Sequence, residues 1–479
     1  MLYLGYYAFV NEFMTLEVTM DILFTVRSIF SPTYLLNSVC NIFSSRTSRR
    51  LNAVAKEPML WKTIDLVEFY ERSLHQRTDK GMKNLVRPLG RVSTHRILLF
   101  LHVYGKHMVK LRLPYNNPKV LSYIDDYCHQ LEELDLKLYS HRSLSTLTNI
   151  PNNLVSLQID FPRNFGAKLY NVSESYENCG SLREDGFLLS PFDHLREITL
   201  RQIIFDNRVS YKLSQMTHLR QLHLLWCVIK QETFNVDTRI KCGFLKRLNS
   251  LKVDCCLFSS LEDVSVFLVE IAKSGSALLM FSFQMPDIEL LNDLTHALNV
   301  NVARRVRKVY RHMFANHPVD FGPCLSEFIS AERAAMRYLY FRGNFVSPDE
   351  LILDVITRCF NHLRGISIGN LRTIDYAPII VRNMKMLRII DLGDGEICAA
   401  IFSACFSNHG FLEALRVCNS RHLSCEEICE VVKTLPRIKV LCTTPYAQLE
   451  QFHRRLPSIV IIVKIRDWIH YIDRHYNNV

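Results

Sequence analysis

A group of metal-ligating residue types lies between Cys418 and Cys429, in the segment "CNSRHLSCEEIC". Cysteine thiolates and histidine imidazoles bind zinc, and structural zinc sites usually pair their cysteines as C-x-x-C. Here six residues separate Cys418 from Cys425, with His422 among them, and three separate Cys425 from Cys429. Because the paired form is missing, we favour a strand-to-helix connection over a zinc site and expect no metal.

Motifs that support catalysis are also missing from the sequence. It contains no Gly-rich phosphate loop, no H-E-x-x-H and no G-x-S-x-G. We therefore expect a chain that is not an enzyme, that needs no cofactor and whose function is binding.

The charge balance is only mildly basic, at +11 over 479 residues. This bias favours acidic partners without requiring nucleic acid. The densest basic run, "ARRVRKVYRH" from Ala303, fits a phosphate-contacting strip or a solvated face, and we favour the solvated face. We expect no nucleic-acid partner.

Cysteine use and hydropathy indicate the compartment. The 15 cysteines are odd in number, and several lie in apolar segments such as "VDCCLF", which is typical of reduced, buried thiols. No stretch reaches the roughly 18 uninterrupted apolar residues of a membrane span. We expect a cytoplasmic and/or nuclear protein without a membrane partner.

A short pattern, apolar-x-x-apolar-x-apolar, recurs along the chain. Examples are "LEELDL" at Leu131, "LRQLHL" at Leu219 and "LRIIDL" at Leu387. The copies begin at Met108, Leu131, Leu154, Leu195, Leu219, Leu248, Leu278, Met336, Leu363, Leu387, Leu412 and Ile438, and most steps are 23 to 30 residues. Each copy alternates like a half-buried strand, and helical patterns lie between copies. One strand and one helix per repeat bury their faces only by stacking, which predicts an α/β solenoid with parallel strands inside and helices outside.

Two steps are longer than the others. The step after Leu154 contains a polar insertion at about 161–190, which is either a functional lid or, as we favour, a tolerated loop. The step after Leu278 is close to twice the usual length, and "VRKVYR" at Val306 is a weak candidate for a further copy.

This repeat resembles the leucine-rich repeat family over about residues 105–465. In that family an Asn or Cys after the motif satisfies buried backbone groups at the turn. Asn116, Cys227, Cys256 and Asn344 match this position, whereas Tyr139, Ile203, Leu371 and Gly395 depart from it.

The residues before the repeats have a different pattern. Three short helices are predicted between Thr19 and Pro58, followed by "PMLWKTIDL". The ending resembles the end of the F-box pattern, A-x-D-P-x-L-W-x-x-L-D-L, at Ala55, Pro58, Leu60, Trp61, Ile64, Asp65 and Leu66. The leading Leu-Pro of that family is absent, so the F-box is degenerate.

The resemblance predicts the domain organisation: an extension at 1–18, an F-box-like module of three helices at 19–66, linker or capping helices at 67–104, the solenoid at 105–465 and a tail at 466–479. F-box proteins with leucine-rich repeats are substrate receptors of SCF-type cullin-RING ubiquitin ligases. The resemblance thus implies a Skp-type adaptor, through it a cullin, and a protein substrate as partners. The alternative is a repeat scaffold without a ligase, with the helices as a plain cap on the solenoid.

The resemblance also implies two binding surfaces. The candidate adaptor contacts are Ile22, Leu23, Val26, Leu35, Leu36, Pro58, Leu60 and Trp61. Alternation in the strands directs a second set of side chains to the concave side as candidate substrate contacts. These are Glu133, Asp135, Arg201, His223, Lys252, Tyr338, Tyr340, Arg342, Asp391 and Arg416. Tyr338, Tyr340 and Arg342 have the residue types that anchor interfaces, and ordinary exposed strand residues are the alternative interpretation.

Overall fold

The structure is a computed structural model. It describes residues 61–66, 94–115, 118–138, 153–160, 194–201, 204–205, 207–225, 227–229, 244–258, 261–274, 278–284, 336–342, 362–368, 380–392, 399–407, 409–417, 423–443, 449–463, 468 and 471–472. The chain divides into two compact units, the first comprising Met1–Asp160 with Leu188–His194 and the second Phe161–Phe187 with Leu195–Val479.

The first unit contains four parallel strands that pair in chain order. They are β1 (Thr63–Asp65), β2 (Lys110–Tyr115), β3 (Glu133–Leu138) and β4 (Ser156–Asp160). Two helices, α1 (Thr94–Tyr104) and α2 (Pro118–Tyr127), precede β2 and β3. Pro118 occupies the first position of α2, where its missing N–H costs no helical hydrogen bond.

The second unit contains ten parallel strands in one series. They are β5 (Glu197–Arg201), β7 (Gln221–Leu225), β9 (Ser250–Asp254), β11 (Met280–Gln284), β12 (Tyr338–Arg342), β13 (Gly365–Ile368), β14 (Ile389–Asp391), β15 (Ala414–Val417), β16 (Val440–Thr443) and β17 (Val460–Ile462). Three short strands form a second parallel sheet: β6 (Ile204–Phe205), β8 (Val228–Ile229) and β10 (Leu257–Phe258).

Helices separate the strands of the second unit. They are α3 (Asn207–Gln215), α4 (Leu261–Ser274), α5 (Ala399–Phe406), α6 (Cys425–Lys433) and α7 (Leu449–Arg455). The start of α6 is fixed by a capping box, in which the Ser424 hydroxyl accepts from the Glu427 N–H and the Glu427 carboxylate accepts from the Ser424 N–H.

The apolar positions of the motif form the core. Leu131, Leu134 and Leu136 of one copy are fully or almost fully buried, and Leu134 lies beside Leu157 of the next strand. Within each unit the same register continues from strand to strand, so the copies bury their apolar residues against their neighbours.

The predicted α/β leucine-rich-repeat fold is confirmed. Each of the twelve copies begins a strand two residues after its first apolar residue, from Lys110 after Met108 to Val440 after Ile438. One detail is wrong: β11 pairs directly with β12, with Met280 beside Tyr338, so no strand from a copy at Val306 lies between them. Strand β17 follows the last copy and was not predicted from the motif.

Two cysteines form the hydrogen bonds to backbone carbonyl oxygens that the repeat requires at its turns. The Cys227 thiol donates to the carbonyl oxygen of Leu200 at 3.3 Å, and the Cys256 thiol donates to that of Leu224 at 3.4 Å. Asn116 and Asn344 lie outside the described residues. Within the described part of the chain, no helix combines the length and the apolarity that crossing a bilayer requires.

Candidate functional site

Trp61 begins the described part of the first unit and is buried, with 7% of its surface exposed. Its indole meets the Phe100 ring edge-on, with 5.6 Å between centroids, and lies 4.2 Å from the Tyr104 ring. Both partners belong to α1. The tryptophan of the F-box-like ending is therefore packed against the helix that precedes β2.

The chain passes from Trp61 directly into β1. Asp65 lies beside Arg112 of β2, and the Leu66 N–H donates to the Arg112 carbonyl oxygen at 2.7 Å. The segment "TIDL" thus contains β1, the first strand of the repeat series, whereas the sequence predicted that it leads into that strand. The other candidate adaptor contacts lie outside the described residues: Ile22, Leu23, Val26, Leu35, Leu36, Pro58 and Leu60.

One face of the first unit carries a row of paired charges. Arg112 contacts Oδ2 of Asp65 at 3.1 Å and Oδ2 of Asp135 at 2.7 Å. The Gln158 amide donates to Asp135 at 3.2 Å, and Lys110 pairs with Glu133. Burial alone lowers the pKa of Arg112, but the neighbouring Asp135 and Asp65 raise it above its usual value. The candidate contacts Glu133 and Asp135 are thus held in ion pairs.

A second polar group lies in β7, β9 and β11 of the second unit. Nε2 of His223 donates to Oδ2 of Asp254 at 2.9 Å, and the Ser282 hydroxyl donates to Oδ1 at 2.9 Å. Burial alone raises the pKa of Asp254, but the hydrogen bond from His223 and the charges of His223 and Lys252 lower it below its usual value. The candidate contacts His223 and Lys252 therefore surround one buried carboxylate.

Strands β14, β15 and β16 of the second unit are buried on both faces. Strands β4 and β7 alternate buried with half-buried residues, whereas every residue of β14, β15 and β16 is buried. Part of the cover comes from the C-terminal end of the chain. Trp468 and Ile472 belong to one buried cluster with Met280, Tyr338, Tyr340, Ile389, Ala414, Val440 and Cys442, and Ile462 and Tyr471 pack against this cluster.

A polar triad lies within this apolar cluster. The Trp468 indole N–H donates to Oδ2 of Asp391 at 2.9 Å, and Arg416 donates to Oδ1 of the same carboxylate at 2.8 Å. Asp391 and Arg416 lie side by side on β14 and β15. Their side chains are 0% and 5% exposed, so the ion pair is almost fully withdrawn from water.

The candidate contacts Tyr338 and Tyr340 are each 4% exposed. Burial raises the pKa of Tyr338. The two rings belong to the same buried cluster as Trp468 and Ile472. Their role as substrate contacts stays a prediction. Arg342 is the last residue of β12 and Arg201 the last of β5, and Arg201 is half-buried.

Sequence reasoning missed Trp468, Tyr471 and Ile472. A usable signal was present in the strands rather than in the tail: "YLYF" and "GISI" are apolar with little alternation, which is typical of strands buried on both faces. That signal predicts a cover over the second face of these strands.

The cysteine-rich segment is helical where the structure describes it. Cys425 and Cys429 are buried on one face of α6, with their sulfur atoms 3.9 Å apart, and Cys418 and His422 lie outside the described residues. Burial raises the pKa of Cys429 to about 12. Within the described ranges, no group of three or more His, Cys, Asp and Glu side chains is arranged to hold a metal ion.

No protein-family model matches this sequence, and no curated protein matches it. Among solved structures, the chain is similar to the complex of Rad7 and Elc1 in yeast, at 14% identity and a TM-score of 0.40, covering 90% of this chain and 98% of that chain. It is also similar to an internalin from Listeria monocytogenes, at 15% identity and a TM-score of 0.34, covering 77% of this chain and 93% of that chain. At these scores neither structure assigns a function to this chain.

Proposed function

We propose that this protein is the substrate-recognition subunit of an SCF-type cullin-RING ubiquitin ligase. Residues 19–66 dock the Skp-type adaptor, and the repeats hold a protein substrate. The chain itself is not catalytic.

The burial of Trp61 and its direct continuation into β1 carry this proposal. A receptor needs its adaptor-binding module fixed to its substrate-binding module, because the distance between the two partners then stays defined. Trp61 packs on α1, and β1 pairs with β2, so the end of the F-box-like segment is joined to the repeats by packing and by hydrogen bonds.

The proposed mechanism is proximity. A substrate held on the repeats presents its lysines at high effective concentration to a ubiquitin-charged enzyme that the cullin recruits. Such a subunit requires no nucleophile and no cofactor of its own.

A repeat scaffold without a ligase is the second candidate. The packing of Trp61 against Phe100 and Tyr104 is also compatible with a plain N-terminal cap, which would bury an aromatic residue against the first helix. A cap does not account for the ending P-x-L-W-x-x-I-D-L, which is why we prefer the receptor.

A pulldown separates the two candidates. The purified full-length chain is immobilised and incubated with a Skp-type adaptor, with Trp61→Ala as the test variant and Phe452→Ala, a buried aromatic of α7, as the matched control. Retention by the wild-type chain and by Phe452→Ala, with weaker retention by Trp61→Ala, supports the receptor. A folded wild-type chain that retains no adaptor supports the scaffold.

A further inference from the structure

Three described residues near the C-terminal end of the chain share one apolar cluster with residues of β11, β12 and β14 to β17, and Trp468 also donates a hydrogen bond to Asp391 of β14. Trp468 is 0% exposed and stacks on Tyr471, with 5.9 Å between ring centroids, and Ile472 is also buried. The spacing of i, i+3 and i+4 places these side chains on one face of a helical turn. Helix-in-groove recognition of one protein by another uses the same set of anchors.

On this part of the sheet, residues that pair between neighbouring strands form two rows. The first row is largely apolar and runs Met280, Tyr338, Gly365, Ile389, Ala414, Val440. The second row runs Tyr340, Ser367, Asp391, Arg416, Cys442, so that a polar group lies between two less polar ends. Gly365 has no side chain and Ala414 has a small one. The side chains of the first row therefore project least from the sheet on either side of Ile389.

The buried ion pair of Asp391 and Arg416 gives this surface a specificity for one indole group that folding alone does not require. A buried ion pair contributes little net stability compared with apolar residues of similar size. Asp391 is held by Arg416 and turns its second oxygen to the indole N–H, which fixes the position and the direction of one tryptophan. Trp, Tyr and Arg are also the residue types that carry most binding energy at protein interfaces.

We propose that this surface is a peptide-docking site that the C-terminal segment occupies within its own chain. The partner it fits is a helical segment that presents a tryptophan, with an aromatic residue three positions later and an aliphatic residue four positions later. Under the proposed function, on which this inference rests, such a segment marks the substrate and displaces the tail.

Tethering explains why a partner must compete. A segment joined to its site by a short linker has an effective concentration on the order of millimolar, so it excludes a free peptide at micromolar concentration. The apparent affinity for a free peptide is reduced by the fraction of molecules whose site is open. A substitution that weakens the contact of the C-terminal segment with the strands should therefore strengthen the binding of a free peptide.

The test uses a fluorescein-labelled peptide of residues 464–479 and the full-length chain, and it measures binding by fluorescence anisotropy. We expect Trp468→Ala to bind the peptide about tenfold or more tightly than the wild-type chain. Trp468→Phe keeps most of the ring packing and loses the N–H donor, so an intermediate gain is expected. If Trp468→Ala does not fold, the Trp468→Phe variant still tests the proposal.

Two controls define the result that overturns the proposal. A peptide carrying Trp468→Ala should not bind, and Phe452→Ala, which lies in α7 outside the cluster, should gain no peptide affinity. The docking site is refuted if folded Trp468 variants bind no more tightly than the wild type, or if either control binds equally well. It is also refuted if the wild-type chain is a dimer that dissociates in Trp468→Ala, because the site then belongs to a second copy.

The same variants separate this inference from the proposed function. Trp468→Ala should retain the adaptor as the wild-type chain does, because the proposed adaptor contacts lie in residues 19–66. If Trp468→Ala binds the peptide but the chain does not retain the adaptor, the docking site is supported and the proposed ligase function is contradicted. If the chain retains the adaptor but Trp468→Ala gains no peptide binding, the ligase function is supported and the docking site is contradicted.

Discussion

The indole N–H of Trp468 donates a hydrogen bond of 2.9 Å to Asp391, a residue 77 positions earlier in the chain. The contact joins the C-terminal segment to the middle of a parallel sheet, and Arg416 supports it from the next strand. The polar group of His223 and Asp254 lies on the earlier strands β7 and β9 of the same unit.

The ion pair beneath Trp468 should be strongly coupled. Arg416→Met leaves the buried Asp391 carboxylate without its cationic neighbour and should destabilise the second unit by about 3 to 5 kcal/mol. The double variant Asp391→Leu, Arg416→Met should cost less than the sum of the single variants. Urea unfolding of all four proteins gives the coupling energy, and additive single effects would contradict a coupled pair.

Trp61 should contribute to the stability of the first unit. Trp61→Ala removes a buried indole and should cost about 3 to 5 kcal/mol. Trp61→Phe should cost less because it keeps the contacts with Phe100 and Tyr104 in part. Chemical unfolding followed by far-UV circular dichroism measures both, and an unchanged midpoint for Trp61→Ala would show that the packing is not formed.

His409 should weaken the second unit at mildly acidic pH. Burial lowers the pKa of His409, so the unfolded chain takes up a proton at a higher pH than the folded chain. Stability is then complete above the unfolded pKa of about 6.5 and falls as the pH drops through and below it. His409→Leu should reduce the loss of melting temperature between about pH 7.5 and 5.5. The same loss in both proteins would exclude His409 as the cause.

Asp254 should affect the stability of the second unit at a lower pH than His409 does. Its pKa is lowered in the folded chain, so its contribution is present above the unfolded value of about 3.9 and is lost as the pH falls through the folded value. Asp254→Asn should lower stability at neutral pH and flatten the acid limb of the stability curve below about pH 4. Ser282→Ala, which removes one hydrogen bond to the same carboxylate, should show a smaller effect in the same direction.

The repeat strands were predictable because their signal is local and repeated. Leu131, Leu134 and Leu136 set the pattern of a strand, and the near-constant spacing of twelve copies indicates stacking. The transition from Trp61 into β1 was predictable for a similar reason, since "TIDL" alternates and directly follows the F-box-like ending. The burial pattern of β4 agrees with the predicted alternation.

The contacts of the site depend on pairs that are distant in sequence. Nothing local to Trp468 names Asp391 as its acceptor, because Trp468 lies outside the repeat strands and its position depends on tertiary packing. Nothing local to His223 names Asp254 either, because the pairing of β7 with β9 brings these two residues together. The candidate contacts Tyr338 and Tyr340 were expected on the concave side, and the structure buries both in the cluster that contains Trp468.

The central claim is most directly tested by the equilibrium binding of a purified Skp-type adaptor, assembled with its cullin, to the immobilised full-length chain. We expect saturable binding by the wild-type protein and by Trp468→Ala, and weakened binding by Trp61→Ala. A wild-type chain that melts cooperatively and shows no binding to the adaptor at any concentration would contradict the proposed ligase function.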